Sequence, residues 1–210
     1  MINFSLDTLN ASLVFCANIR ILLHEKGYFD ADIRGNPLLH LWSLGVEEQF
    51  YIIWPFLLIG IFKYFKKQAM KILIVFSFLS FMLSIYYVYL NKQFAFYFPF
   101  CRFWQMSVGG ILGYANIKIN NNSLINNSLS ILGLIMIAIT QIFMNDESLF
   151  PGYWALLPTF SCALIIQAGN ESFINKYILS SVPFTFIGKI SYSLYLWHWP
   201  LIVLSNIFYP

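Results

Sequence analysis

The sequence predicts an all-α fold, a polytopic transmembrane bundle of about six to seven membrane helices. Three observations carry that expectation. The 210 residues are 59% hydrophobic and 20% aromatic with only 10% charged, which lies outside the usual range of soluble domains. Apolar runs of roughly twenty residues recur along the chain, divided by short polar turns. No stretch is polar enough and long enough to fold by itself in water, so a single membrane-embedded domain over 1–210 is expected. The net charge of +3 is too small and too scattered for nucleic acid, and the lysines are better explained by topology. The N-terminus lacks a basic region ahead of an apolar one and a small-residue cleavage site, so insertion is expected to come from internal helices.

Residues 3–24 read as a first span in which Asp7, Asn10, Asn18 and Arg20 demand a protein-facing side. The stretch from Glu25 to Leu39 contains Gly27, Gly35 and Pro37 and reads as a loop. A helix over 40–62 follows, ending at Lys63, Lys66, Lys67 and Lys71, the strongest basic cluster in the chain and therefore an inner loop. Further spans are expected at 70–90, 100–117, 124–144, 153–169 and 186–208. In this arrangement Lys63, Lys66, Lys67, Lys71, Lys118, Lys176 and Lys189 fall inside, against Lys26, Arg34 and Lys92 outside, in the direction that insertion favours. The asparagines at 120–122, 126 and 127 read as an inner turn and helix start. Cys16, Cys101 and Cys162 lack metal or redox spacing and are expected as small core residues, with no metal site.

Candidate chemistry concentrates in His40 to Pro55, HLWSLGVEEQFYIIWP. At 100° per residue His40, Ser43, Glu47, Tyr51 and Trp54 share roughly a 60° arc, with Glu48 to one side. An ionisable group in lipid is costly unless paired or useful. Glu47 and Glu48 therefore read either as a base, an orienter of histidine or a binder of substrate hydroxyls, or as solvated acids at the outer interface. His40 and His198 are placed to approach one outer cavity, and histidine is the usual acid or base near neutral pH. The alternative for each is a hydrogen-bonded interfacial residue, and His24, between charged neighbours, reads as a solvated helix end. Arg102 reads either as a fork for an anion or as the partner of Glu47 or Glu48. Gly109, Gly110 and Gly113 allow close helix approach. The last helix groups Ser191, Tyr195 and His198, with Tyr192 and Trp199 beside them and Pro200 breaking one backbone bond. A polar-striped transporter or scaffold for envelope glycans is the alternative on these residues alone.

The words NPLLHLWSLGVEEQFYIIWP, FPFCRFWQMSVGGILGY and FIGKISYSLYLWHWP, in this order, resemble the membrane-bound acyltransferase family 3, typified by bacterial O-antigen and surface-polysaccharide acetylases. The resemblance implies an integral-membrane O-acyltransferase of the cytoplasmic (inner) membrane. It implies no bound cofactor, acetyl-CoA or another acyl-CoA as donor, and an envelope polysaccharide or lipopolysaccharide as acceptor, with lipid as the surrounding partner. Glu47, which ends the WSLxVE pattern, and His198 are the expected catalytic residues. His40, Ser43, Glu48, Arg102, Tyr192 and Tyr195 are expected to contact substrate. Two departures stand out. Gln105 occupies the position where the family usually has a glutamate. The family's arginine and histidine about ten residues apart on its first helix are absent, since His40 lies twenty after Arg20. The chain is therefore expected to lack the family's first helices and to be inactive alone.

Overall fold

The computed structural model describes residues 2–23, 35–115, 122–145 and 148–208, and every regular element among them is helical. The stretch expected as one first span forms two short helices, α1 (Ile2–Leu13) and α2 (Ala17–Leu22). The break falls at Phe15, whose φ of 56° lies in the left-handed region that a bulky side chain rarely enters. Bending there brings Asp7 and Arg20 to 2.7 Å, so the two charges that make this segment poor as a straight span neutralise each other. Buried Asn18 donates to the Tyr97 carbonyl at 3.1 Å and accepts from Gln49 Nε2 at 2.9 Å. Asn18 is thus used inside the protein, as expected, whereas Asp7 and Asn10 are exposed, on a hooked pair rather than a span.

Most of the loop predicted after it, with His24, Lys26, Asp30, Asp32 and Arg34, lies outside the described residues. From Gly35 the chain turns into α3 (Leu41–Tyr64), with the Asn36 side chain accepting from the Leu38 amide at 3.0 Å. A 3-10 turn, Lys66–Gln68, carries the exposed lysines and reverses the chain into α4 (Ala69–Leu90). Next comes α5 (Lys92–Tyr97), whose first turn is capped by Asn91 accepting from the Phe94 amide at 2.9 Å. A second 3-10 turn, Pro99–Cys101, leads to α6 (Phe103–Ala115). Ser80 of α4 donates to the Phe100 carbonyl and accepts from the Trp104 amide, which pins the start of α6 to the middle of α4 and leaves it too short for a full span. Lys118 lies outside the described residues. The remaining helices are α7 (Ser123–Phe143), capped by Asn122, α8 (Leu156–Ala168), and α9 (Val182–Phe208), with a π-helical turn at Ile174–Leu179 before the last.

Among the described residues three helices are long and apolar enough to cross a membrane: α3, α4 with its preceding turn, and α7. The chain is accordingly an all-helical integral membrane protein, with three such helices where six or seven were expected. One core cluster joins Ile21, Leu39, Trp42, Val46, Phe50, Tyr97 and Phe103, so α3 is wrapped by α2, α5 and α6. Helix α9 touches this core through Trp199 and exposes most of its length, including Val182, Phe184, Trp197 and Leu201. Two of the three cysteines depart from expectation: Cys16 and Cys162 are exposed, Cys101 is buried, and all three are free.

The tightest helix pair is α7 with α8. A Cβ built on Gly133 would lie 2.8 Å from the Ser161 carbonyl oxygen and 2.7 Å from Ile165 Cγ1. Backbone cannot yield as a side chain tip does, so Gly133→Ala is expected to push the helices apart and to cost about 1–3 kcal/mol, as overpacking does. Denaturation of the detergent-solubilised protein checks this, and an unchanged midpoint would contradict the packing.

Candidate functional site

The start of α3 and the middle third of α9 meet, and both candidate histidines sit at the junction. The ring centroids of His40 and His198 are 5.5 Å apart, with Tyr195 5.2 Å from the first and 5.6 Å from the second. The Tyr195 hydroxyl donates to the His40 carbonyl, and Ser43 Oγ lies 2.7 Å from it. A phenol has one proton, so Ser43 is the donor in the second bond. Tyr195 therefore laces α9 to the first turn of α3, and its proton is committed to that task. One turn further, Trp199 Nε1 donates to the Asn36 carbonyl at 2.9 Å and reinforces the lacing.

His198 is exposed, and its Nδ1 lies 2.6 Å from the Tyr195 carbonyl of its own helix. A carbonyl only accepts, so Nδ1 carries a proton and, in the neutral ring, Nε2 keeps its lone pair. His40 is the opposite case, buried at 7% exposure with both ring nitrogens unpartnered among the described residues. The carbonyls of Leu196 and Pro37 face its ring without completing a bond of ordinary geometry. Leu196 has a carbonyl to spare because Pro200, four residues on, has no N–H to offer it.

His40 lies one residue ahead of α3. Burial first, and the nearby His198 second, hold it below the usual imidazole range, only partly offset by the two carbonyls. The sign follows directly. Above about pH 6.5 the ring is neutral in both folded and unfolded chains; below it the unfolded chain takes the proton more readily, so stability falls as pH falls. The thermal midpoint is expected to drop between pH 7.5 and 5.5, and the drop should shrink in His40→Gln. Equal drops in both proteins would remove His40 as its source.

A cavity of about 290 Å³ opens between α3 and α9, lined by Ser43, Leu44, Glu47, Ser191, Tyr192 and Tyr195. Glu47 follows Ser43 by one turn on the same face. It is exposed and forms no hydrogen bond or ion pair among the described residues, which leaves its oxygens open to a ligand. Ser191 donates to the Gly188 carbonyl at 2.8 Å, so its proton is spent within the helix. The Tyr192 hydroxyl makes no hydrogen bond among the described residues and is the free donor at this wall. Glu48 is half-buried and outside the cavity lining. The predicted stripe ends early: Tyr51 is 60% exposed, and Trp54 turns away to stack on Phe50 at 5.0 Å.

Arg102 stands apart from this cluster. Its guanidinium carbon lies 4.6 Å from the Phe96 ring centroid, 4.9 Å from Trp42 and 5.3 Å from Phe150, and Nε donates to the Phe96 carbonyl at 2.8 Å. The alternative of an ion pair with Glu47 or Glu48 is not formed. This aromatic cage draws on three separate segments, and no sequence spacing announces it. Among the described residues no three of His, Cys, Asp and Glu gather as metal ligands.

A family model described as "Acyltransferase domain" matches residues 3–210. An uncharacterized protein of Haemophilus influenzae is 31% identical over 178 residues, covering 79% of this chain and 71% of its own. "O-acetyltransferase OatA" of Staphylococcus aureus is 29% identical over 211 residues, covering 95% of this chain and 35% of its own. "Putative peptidoglycan O-acetyltransferase YrhL" of Bacillus subtilis is 30% identical over 212 residues, covering 93% and 33%. The chain thus spans about a third of the length of the two relatives named as O-acetyltransferases. No solved structure matches.

Proposed function

The chain belongs to the acyltransferase-domain family that matches 3–210, and from that premise we propose that it works within an integral-membrane O-acyltransferase, moving an acetyl group from acetyl-CoA to a hydroxyl of an envelope glycan. Within that class the name of one relative favours peptidoglycan over lipopolysaccharide as acceptor. The bacterial cytoplasmic membrane is the setting in which such a donor and such an acceptor face opposite sides of one bundle.

One observation supports the chemistry most: His198, its Nδ1 held by the Tyr195 carbonyl, keeps Nε2 unpartnered among the described residues next to Tyr195, which lines the cavity that presents Glu47 and the Tyr192 hydroxyl. In the transfer, the acceptor hydroxyl gives its proton to Nε2 as its oxygen attacks the thioester carbonyl. The carbon–oxygen bond forms, the carbon–sulfur bond breaks, and the proton passes from His198 to the departing thiolate. Glu47 orients the acceptor hydroxyls, and Tyr192 donates to the oxygen on which charge develops. Ser43 and Tyr195 hold the two helices in register.

The test is transfer itself. Membrane vesicles carrying the chain together with the segments that flank it in its relatives are given acetyl-CoA labelled in the acetyl group and soluble peptidoglycan fragments. Labelled, alkali-labile ester on the glycan is the expected result. Movement of unmodified glycan across the membrane with no ester formed would replace the enzyme by a transporter.

A further inference from the structure

A second cavity, of about 400 Å³, lies between α6 and α8, away from the histidine cluster. Its wall is apolar, with Met106, Phe150, Pro158, Ala163 and Ile166, and it opens on the bundle surface where Cys162 and Ile166 are exposed. The polar group that stands out there is Gln105, whose buried Nε2 has no hydrogen-bond partner among the described residues. A buried donor left unmade is costly, so its presence asks for an acceptor that the described residues do not supply. One helical turn back lies Arg102, stacked on the same Phe150 ring that lines the cavity, and its Nη2 is likewise buried and unpartnered. No carboxylate among the described residues pairs with that guanidinium.

An apolar slot with a neutral donor in its wall and, behind it, a positive charge that no carboxylate among the described residues pairs has a definite complement. We propose that this cavity binds a single medium-length fatty acid, its chain along α8 and its carboxylate accepting from Gln105 with Arg102 as counter-charge. Volume sets the length: at about 30 Å³ for a water-sized group, the cavity holds roughly a dozen methylene-sized units. The side opening onto the helix surface lets such a chain enter from the bilayer. This site is independent of acyl transfer at the histidine cluster and stands or falls without it.

The experiment uses the 210-residue protein in phosphatidylcholine nanodiscs with a photoreactive diazirine analogue of dodecanoic acid. Labelled peptides are expected to come from α6 and α8, and unlabelled dodecanoate should compete. Dodecyltrimethylammonium, with the same chain and the opposite head charge, should not. Gln105→Leu should weaken labelling about tenfold, as loss of one hydrogen bond to a charged group does. Gln105→Glu, which supplies an internal counter-charge to Arg102, should abolish it, and Ala163→Phe should do the same by filling the slot. Labelling that is indifferent to head charge and to both Gln105 substitutions overturns the proposal. So does phosphatidylcholine crosslinked in place of the fatty acid.

Discussion

Replacing His198 or Glu47 by glutamine in the complete enzyme is expected to lower acetyl transfer by roughly a hundredfold or more while leaving membrane insertion intact, because general acid–base catalysis contributes about 10²–10⁴. The two residues predict different kinetics. In the proposed transfer His198 carries the proton, so its replacement should reduce kcat with little change in KM for the glycan, the mark of an interaction made in the transition state. Glu47 faces the cavity as an open acceptor, so Glu47→Gln keeps the shape, weakens hydroxyl binding, and should raise KM as well as lower kcat. Tyr195→Phe is the control that separates chemistry from positioning. It removes the tie to the His40 carbonyl and the acceptor for Ser43, and should reduce activity together with stability. Near-normal turnover in His198→Gln would end its assignment as the base.

Phe103→Ala is expected to be the most damaging single change to the fold, costing about 3–5 kcal/mol, as large-to-small core substitutions of this kind do. Phe103 is fully buried, 5.3 Å from Phe50 and 5.0 Å from Phe100 between ring centroids. It fastens α6 to α3 next to the residue whose guanidinium sits in the aromatic cage. Lipid tails are as apolar as a phenylalanine, so the loss is of packing contacts rather than of exclusion from water. Unfolding in mixed detergent measures it, and a cost below about 1 kcal/mol would show that the neighbourhood collapses into the space. Conversely, Val182→Ala or Phe184→Ala on the exposed part of α9 should be near neutral in the same assay, as surface changes usually are.

The helices were legible where one run of apolar residues does one job. The expected spans at 70–90 and 124–144 agree with α4 and α7 to within a residue or so, because uniform hydropathy and polar ends define them. The first span was not legible, because its Asp7 and Arg20 cancel only after a bend at Phe15 that propensity does not announce. The shortness of α6 depends on Ser80, which hydrogen-bonds from α4 across to the start of α6 from a position that reads as ordinary span interior. At the site, the helical spacing correctly aligned Ser43 with Glu47, and the motifs of the two ends brought His40, Tyr195 and His198 together. What spacing misjudged was availability. Tyr195 is expected to contact substrate, yet its proton is used between helices. Hydrogen-bond commitments of that kind depend on which partner arrives from a distant segment.

Pro200 gives the junction of α3 and α9 an asymmetry. By withholding one hydrogen it leaves an acceptor showing on the flank of an otherwise self-satisfied rod, and the imidazole of a different segment is what that acceptor faces. The facing of the buried imidazole by the last helix thus follows from a single missing hydrogen in its ladder. An alanine there would close the ladder and withdraw from the His40 imidazole the acceptor it now faces.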